Sequence, residues 1–347
     1  CINMQNEKIN NKIAGSFLAS AIGDGFGYPT EFLKYNEIID RWGINGLTEP
    51  IGNPIKVTDD TQMALAVGKA IMKSYDSRTL KPQIFEEALR KEFVVWLIDP
   101  QNNRAPGMTC LKSCENLAKG IPWQKATSLN SKGCGANMRV LPIALLKFKD
   151  EKITDKSIGK WAQFQAAMTH AHPTALTASE LTALTVVKLI EGMNPDSLLE
   201  YLLDYCSTQK NKYHHDFLDK IWQRPSIESP EMYINRGWEE CEAVLRRVEK
   251  AVKRNDKITD PCVYTGEGWI AEEAFATALL CFLYYPNDTT ATLRRAVNTS
   301  GDSDSLACIA GSFAGAYNGL YSIPQDWVNR VEYKEELDEF IKFVTTE

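Results

Sequence analysis

The sequence predicts an all-α fold, a compact multi-helix bundle of roughly ten or more helices. Three observations lead there. Apolar residues recur at three-to-four spacing along most of the 347 residues. Alternating, β-branched runs are nearly absent. No long Pro/Gly/Ser linker, low-complexity tract or internal repeat interrupts the pattern, so residues 12–347 read as a single domain behind a polar N-terminal arm, residues 1–11.

The elements follow in order. "NKIAGSFLASAIGDG" (11–25) carries helical spacing and runs into glycine. "TDDTQMALAVGKAIMKSY" (58–75) opens on capping residues, with Asp59 and Gln62 placed as a capping box. "IFEEALRKEFVVWLID" (84–99), "GANMRVLPIALLKF" (135–148), "ALTASELTALTVVKLIEGM" (175–193), "DSLLEYLLDYCS" (196–207) and "IAEEAFATALLCFLYY" (270–285) read the same way. So does "NRGWEECEAVLRRVEKAVKR" (235–254), whose basic residues alternate with apolar ones as on a solvated helix face. In "LACIAGSFAGAYNG", Ala307, Ala310, Gly311, Ala314 and Gly315 form a stripe of small residues that permits close helix approach. Segment 207–235, polar with two prolines, reads as the region most like an insertion.

Composition narrows the class. A net charge of −6 with scattered Lys and Arg argues against a nucleic-acid surface. No uncharged apolar run reaches about 18 residues, so no transmembrane helix is expected. The nine cysteines are dispersed, several inside apolar runs, and no pairs have zinc-ligand spacing. Their odd number, with no signal peptide in the first dozen residues, fits a reducing cytoplasm.

Two helix starts carry more oxygen than capping needs. "VTDDTQM" supplies Thr58, Asp59, Asp60 and Thr61, where one Asp would answer the helix dipole. "SGDSDSLACIAG" supplies Asp302, Asp304 and Ser305 ahead of the small-residue helix, which leaves these carboxylates at least partly buried. Buried carboxylates need cations or donors, and hard oxygen ligands of this kind suit Mg²⁺, Mn²⁺ or Ca²⁺. If the two starts met, Asp59, Asp60, Asp302 and Asp304 would carry four negative charges, the complement of two divalent cations. Without cations each pair at about 4 Å would repel by roughly 4 kcal/mol at an effective dielectric of 20. Some 240 residues separate the motifs, so the sequence does not show that they meet.

Four further stretches carry candidate residues. Asp24 and Glu31 stand in "GDGFGYPTEF", read as a glycine-punctuated loop. Gly133 and Gly135 in "KGCGANMRVLPIA" open a helix whose free N–H groups can receive a phosphate. "MTHAHP" holds His170 and His172, residue types more often structural than ligating. The loop of "YTGEGWIAEEAF" offers Tyr264 or Trp269 to a base or ring.

In this order, "GSFLASAIGDGFGYPTEF", "TDDTQMALAV", "GCGANMRVLPIAL", "THAHPTALTAS", "GEGWIAEEAFATAL" and "SGDSDSLACIAGSFAGAYNGL" resemble the ADP-ribosylglycohydrolase family, including its dinitrogenase reductase-activating type. The six ordered blocks span nearly the whole chain. The resemblance implies an all-α bundle with a dinuclear Mg²⁺ or Mn²⁺ site at helix ends. Thr58, Asp59 and Asp60 look like the first ligand set; Asp302, Asp304 and Ser305 look like the second, with Asp304 bridging. The family usually has Thr where Ser305 stands, and a Ser hydroxyl offers the same oxygen. Glu31 resembles the family's mobile acidic residue, so Asp60, Glu31 and Asp304 are the catalytic candidates. Ser131, Gly133 and Gly135 resemble a diphosphate-binding loop, although Cys134 stands where the family often has Asn. Asp24, His170, Gly266 and Trp269 complete the expected substrate-binding set. "NNRAPGMT" (102–109) resembles a substrate-side loop, with Ala105 near the place of an Asp proposed to act in arginine-specific relatives.

The implied reaction is metal-assisted hydrolysis of a glycosidic bond at C1″ of ADP-ribose, with Asp60 or Glu31 handling the proton. The expected substrate is an ADP-ribosylated protein, arginine-linked first, or ADP-ribose itself as ligand. Two alternatives stand beside it. One is an immunity protein that neutralises an ADP-ribosyltransferase toxin by direct binding through the N-terminal arm. The other keeps the metal site but takes serine-linked ADP-ribose, O-acetyl-ADP-ribose or poly(ADP-ribose).

Overall fold

The structure is a computed structural model that describes residues 1–75 and 80–347. Among these it contains α-helices, short 3₁₀ turns and three isolated β-bridges, with no sheet. The all-α expectation holds, and its cause is the pattern that predicted it. Each long helix carries an apolar stripe wide enough to bury, and the stripes close on one another.

Two helices position the site. The first (Ile2–Gly27) lies along the Ser303–Asn318 helix, near the other end of the chain. Their backbones touch because small residues face each other. A methyl on Gly315 would lie 2.1 Å from the Gly15 carbonyl oxygen, and one on Gly311 would lie 2.4 Å from that of Ala19. Ser16 Oγ reaches across to the Ser312 carbonyl at 2.8 Å. The small-residue stripe therefore does what its spacing predicts: it draws Ser303–Asn318 into the interior, with Ala307, Ala310 and Ala314 fully buried.

Around this pair pack the Asp59–Ser74 helix and the Pro173–Ile190 helix. The latter is buried along nearly its whole length and also contacts Asp155–Ala167, Pro230–Arg254 and Ala271–Tyr284. Among the described residues no helix is long and apolar enough to cross a membrane. Eight of the nine cysteines are buried, and none is in a disulfide.

Several local expectations change. Residues 2–11 form the first turns of the Ile2–Gly27 helix, exposed over 2–8 and half-buried over 9–11, and Asp24 lies in the last turn of that helix rather than in a loop. Thr58, not Asp59, caps the Asp59–Ser74 helix, its hydroxyl accepting from the Asp60 N–H. Gly133 and Gly135 lead into a 3₁₀ helix (Cys134–Arg139) before Leu141–Leu146. Segment 207–235 is no loose insertion. Phe217, Leu218, Tyr233 and Ile234 are buried, and Arg224 and Tyr233 both donate to the Ala171 carbonyl.

Candidate functional site

The two acidic helix starts meet. The Thr58 hydroxyl lies 3.1 Å from Asp304 Oδ2, and Ser305 Oγ donates to Asp60 Oδ2 at 2.6 Å. Carboxylate oxygens of Asp24, Asp60 and Asp304 come within 4.8 Å of one another, as do those of Glu31, Asp302 and Asp304. Asp304 is common to both groups.

Asp24 forms the floor. It is fully buried and does not line the cleft. Thr58 and Thr61 give it four hydrogen bonds, two from hydroxyls at 2.6 Å and two from backbone N–H groups at 2.9 and 3.2 Å. It was expected at the substrate; it instead anchors the start of the Asp59–Ser74 helix, because its place one turn from the end of the first helix faces that start.

Hydrogen atoms are scarce above this floor. Thr58 Oγ1 spends its one hydrogen on Asp24, yet it also faces Asp60 Oδ1 at 3.3 Å and Asp304 Oδ2 at 3.1 Å. Asp304 Oδ1 is buried with no hydrogen-bond partner among the described residues. Arg104, whose charge is felt at Asp24, is paired with Glu332. Burial, and then mutual repulsion, raises the carboxyl pKa values of Asp59, Asp60 and Asp304 well above the usual range. Burial raises Asp24 to about 6, against the pull of its Thr58 and Thr61 bonds. Glu31, at the mouth, is pushed up to about 8 by burial and by Asp302. Converging oxygens, an orphaned buried carboxylate atom and a deficit of hydrogens are what a hard divalent cation corrects. The residues present fit such ions: Asp60 and Asp304 at the centre, with Thr58, Asp59, Asp302, Ser305 and Glu31 around them.

The cluster forms one end of a cleft of about 350 Å³. Its lining includes Glu31, Asp59, Asp60, Asp302, Asp304 and Ser305 on the acidic side. Gly133, Cys134, Gly135 and His170 form another wall, and the 105–110 segment a third, so the loop of "NNRAPGMT" does border the cleft. Ser131 stands behind the glycines, its Oγ 3.0 Å from that of Thr109. Trp269 borders the mouth and stacks on Phe32, with ring centroids 5.6 Å apart and planes 14° from parallel. Lys34 ties the same two loops together through Glu267 at 2.9 Å. The structure does not bring Gly266 into the cleft. It occupies a turn with φ of +105°, and a side chain there would strike Glu273. Tyr264 also lies elsewhere, bonded to Asp256. His172 caps the Pro173–Ile190 helix through Nδ1.

Sequence reasoning missed Phe32, Cys110 and Met138 as lining residues, and Arg139 and Thr169 behind His170. Phe32 carried a weak signal, since it follows Glu31 directly. Arg139 sits in an apolar run, where a charged residue marks a buried polar contact.

Comparison with known proteins agrees with this architecture. The family model described as ADP-ribosylglycohydrolase matches residues 5–347. The ADP-ribosyl-[dinitrogen reductase] glycohydrolase of Rhodospirillum rubrum is 25% identical over 338 residues, covering 96% of this chain and 94% of the relative. ADP-ribosylhydrolase ARH3 of Xenopus tropicalis is 26% identical, covering 94% and 93%. ADP-ribosylarginine hydrolase Tri1 of Pseudomonas putida is 24% identical, covering 95% and 77%. A solved structure described as an ADP-ribosylglycohydrolase-related protein complex superposes with a TM-score of 0.68 at 22% identity, over 98% of both chains, which shows the shared fold.

Proposed function

The chain belongs to the ADP-ribosylglycohydrolase family and is a glycosidic-bond hydrolase, and from that premise we propose that its cleft holds two divalent cations, Mg²⁺ or Mn²⁺, and releases ADP-ribose from modified protein side chains, arginine first. The observation that carries this reading is the meeting of two carboxylate groups, Asp24 with Asp60 and Glu31 with Asp302, at the shared Asp304, whose Oδ1 has no partner among the described residues. The names of the Rhodospirillum and Pseudomonas relatives supply the protein-linked and arginine-linked substrate.

Asp60 and Asp304 would hold the ions, with Thr58, Asp59, Asp302 and Ser305 completing the set. Bound there, the cations would neutralise the carboxylates and anchor the hydroxyl oxygens of the distal ribose. The chain's own groups do the rest. Gly133, Gly135 and His170 border the cleft with the acids and receive the diphosphate part of the substrate. Phe32 and Trp269 flank the mouth and narrow it against bulk water. Glu31, half-exposed at that mouth, is the carboxyl group placed to exchange a proton with an attacking water. Water oxygen bonds to C1″, the C1″–N bond breaks, and the proton taken from water is returned to the leaving guanidine nitrogen. The products are ADP-ribose and an unmodified arginine.

The test is a hydrolysis panel of arginine-linked, serine-linked and poly(ADP-ribose) substrates and O-acetyl-ADP-ribose, each with Mg²⁺, with Mn²⁺ or with chelator. The expected result is fastest release from arginine, lost on chelation. Wild-type turnover by both Asp60→Ala and Asp304→Ala would overturn the site; preference for an O-linked substrate would overturn the linkage only.

A further inference from the structure

The polar groups behind His170 determine which of its nitrogens carries hydrogen. Arg139 is fully buried, and among the described residues it has no carboxylate partner. Its Nε donates to Gln165 Oε1 at 2.7 Å. One amino group donates to the Gln165 carbonyl at 2.6 Å and to Thr169 Oγ1 at 2.8 Å. The guanidinium lies over the Phe93 ring, 4.6 Å from its centroid. A guanidinium has no acceptor, so in its contact with Thr169 the hydroxyl oxygen accepts.

Thr169 Oγ1 is also 2.7 Å from His170 Nδ1. The hydroxyl owns one hydrogen. Donated to Nδ1, it completes the chain Arg139 to Thr169 to His170. The reverse arrangement would leave that hydrogen buried with no acceptor among the described residues. Nδ1 is therefore the bare nitrogen, and Nε2 carries the hydrogen. Nε2 borders the cleft beside the glycines: a methyl on Gly135 would approach it to 3.0 Å, and one on Gly133 to 3.6 Å. The backbone is pinned as well. Ser128 N–H donates to the Thr169 carbonyl and Ala171 N–H to the Ser128 carbonyl, both at 3.0 Å.

We propose that Thr169, oriented by Arg139, is a positioning residue that holds His170 as a neutral Nε2–H donor aimed at an acceptor oxygen of the bound ADP-ribosyl group. The ligand's identity rests on the functional reading above; the tautomer does not. Burial and the neighbouring Arg139 charge both oppose an imidazolium here. The acceptor is a diphosphate oxygen or a ribose hydroxyl.

The experiment is long-range ¹H–¹⁵N spectroscopy of imidazole-labelled full-length protein at neutral pH. The chain has only four histidines, and His170→Gln assigns the signal by its loss. The expected wild-type spectrum shows hydrogen on Nε2 and a bare Nδ1. Thr169→Val should give averaged signals and weaken ADP-ribose binding about tenfold, while Thr169→Ser keeps both. An equal loss of ADP binding in Thr169→Val places the contact at the diphosphate; unchanged ADP binding places it at the distal ribose. An Nδ1–H or imidazolium signal in the wild type overturns the proposal, as does a Thr169→Val spectrum identical to wild type. The expected tautomer with no ADP-ribose binding by the wild type would instead overturn the functional reading.

Discussion

The acidic side of the cleft and the wall built by the glycines and His170 are both buried, and burial penalises the charge each carries. They meet that penalty differently. On the acidic side, carboxylates outnumber the hydrogens available to them, and Asp304 keeps one oxygen with no partner among the described residues. On the other, the Arg139 cation lies deeper and donates three hydrogen bonds to uncharged oxygens. The first region carries unbalanced charge of its own, which the proposed ions would offset. The second is complete within the protein and presents one donor outward. A buried group without its partner marks where a ligand goes; a buried group fully satisfied marks what holds the ligand's surroundings still.

That contrast can be broken from either side, and the acidic side should give way first. Asp304→Ala removes the carboxylate shared by both oxygen groups, and kcat/KM should fall by about 10³-fold or more, read by ADP-ribose release. Asp24→Asn keeps the shape of the floor but weakens the bonds holding Thr58 and Thr61. A loss of about 10- to 100-fold in metal affinity or activity is expected, the range for residues that orient ligands. An Asp24→Asn enzyme with unchanged metal titration would show that the floor plays no part.

Stability should report the same asymmetry. The acidic carboxyl groups have raised pKa values in the ion-free fold, so the folded state binds protons more tightly than the unfolded state. Their contribution to stability is present at low pH and lost as pH rises, through about 6 for Asp24 and about 8 for Glu31. In chelator, Tm should fall between about pH 4 and 8, and Glu31→Gln should flatten the upper part of that fall. Saturating Mg²⁺ should restore a few degrees, since a ligand at 100 times its Kd contributes about 2.7 kcal/mol. A Tm indifferent to both pH and Mg²⁺ would contradict the ion-hungry reading. The smallest effect on activity is expected at the other wall. Gly135→Ala places a methyl 2.7 Å from Cys110 Sγ and 2.8 Å from the His170 ring, and should raise KM several-fold and cost about 1–3 kcal/mol of stability.

How much of this was legible follows the same division. Asp59, Asp60, Asp302 and Asp304 stood out because a helix cap needs fewer oxygens than they supply. Their meeting was not legible from the residues, since it depends on the glycine contacts between helices far apart in sequence; the family resemblance supplied it. The helices were readable because apolar periodicity is local. Asp24 was misplaced because glycine on both sides suggests a loop, whereas here those glycines allow a helix to pack closely. Gly266 stands in a turn outside the cleft, because a Gly in a motif can serve a turn as readily as a ligand. The Arg139–Thr169–His170 chain left no periodic trace, because hydrogen bonds between a 3₁₀ turn and a distant loop follow no spacing.

The contact between the first helix and Ser303–Asn318 has a consequence for how the protein comes into being. Asp24 and Asp304 are some 280 residues apart, yet they share one oxygen cluster. A chain emerging from the ribosome would therefore carry its first acids long before the others exist, with nothing to close upon. The centre cannot assemble until the late helix has been made and has found the early one, a long-range search that topology makes slow. Occupancy by a cation would thus report the docking of the two helices, and a truncated or half-folded copy would hold no working centre.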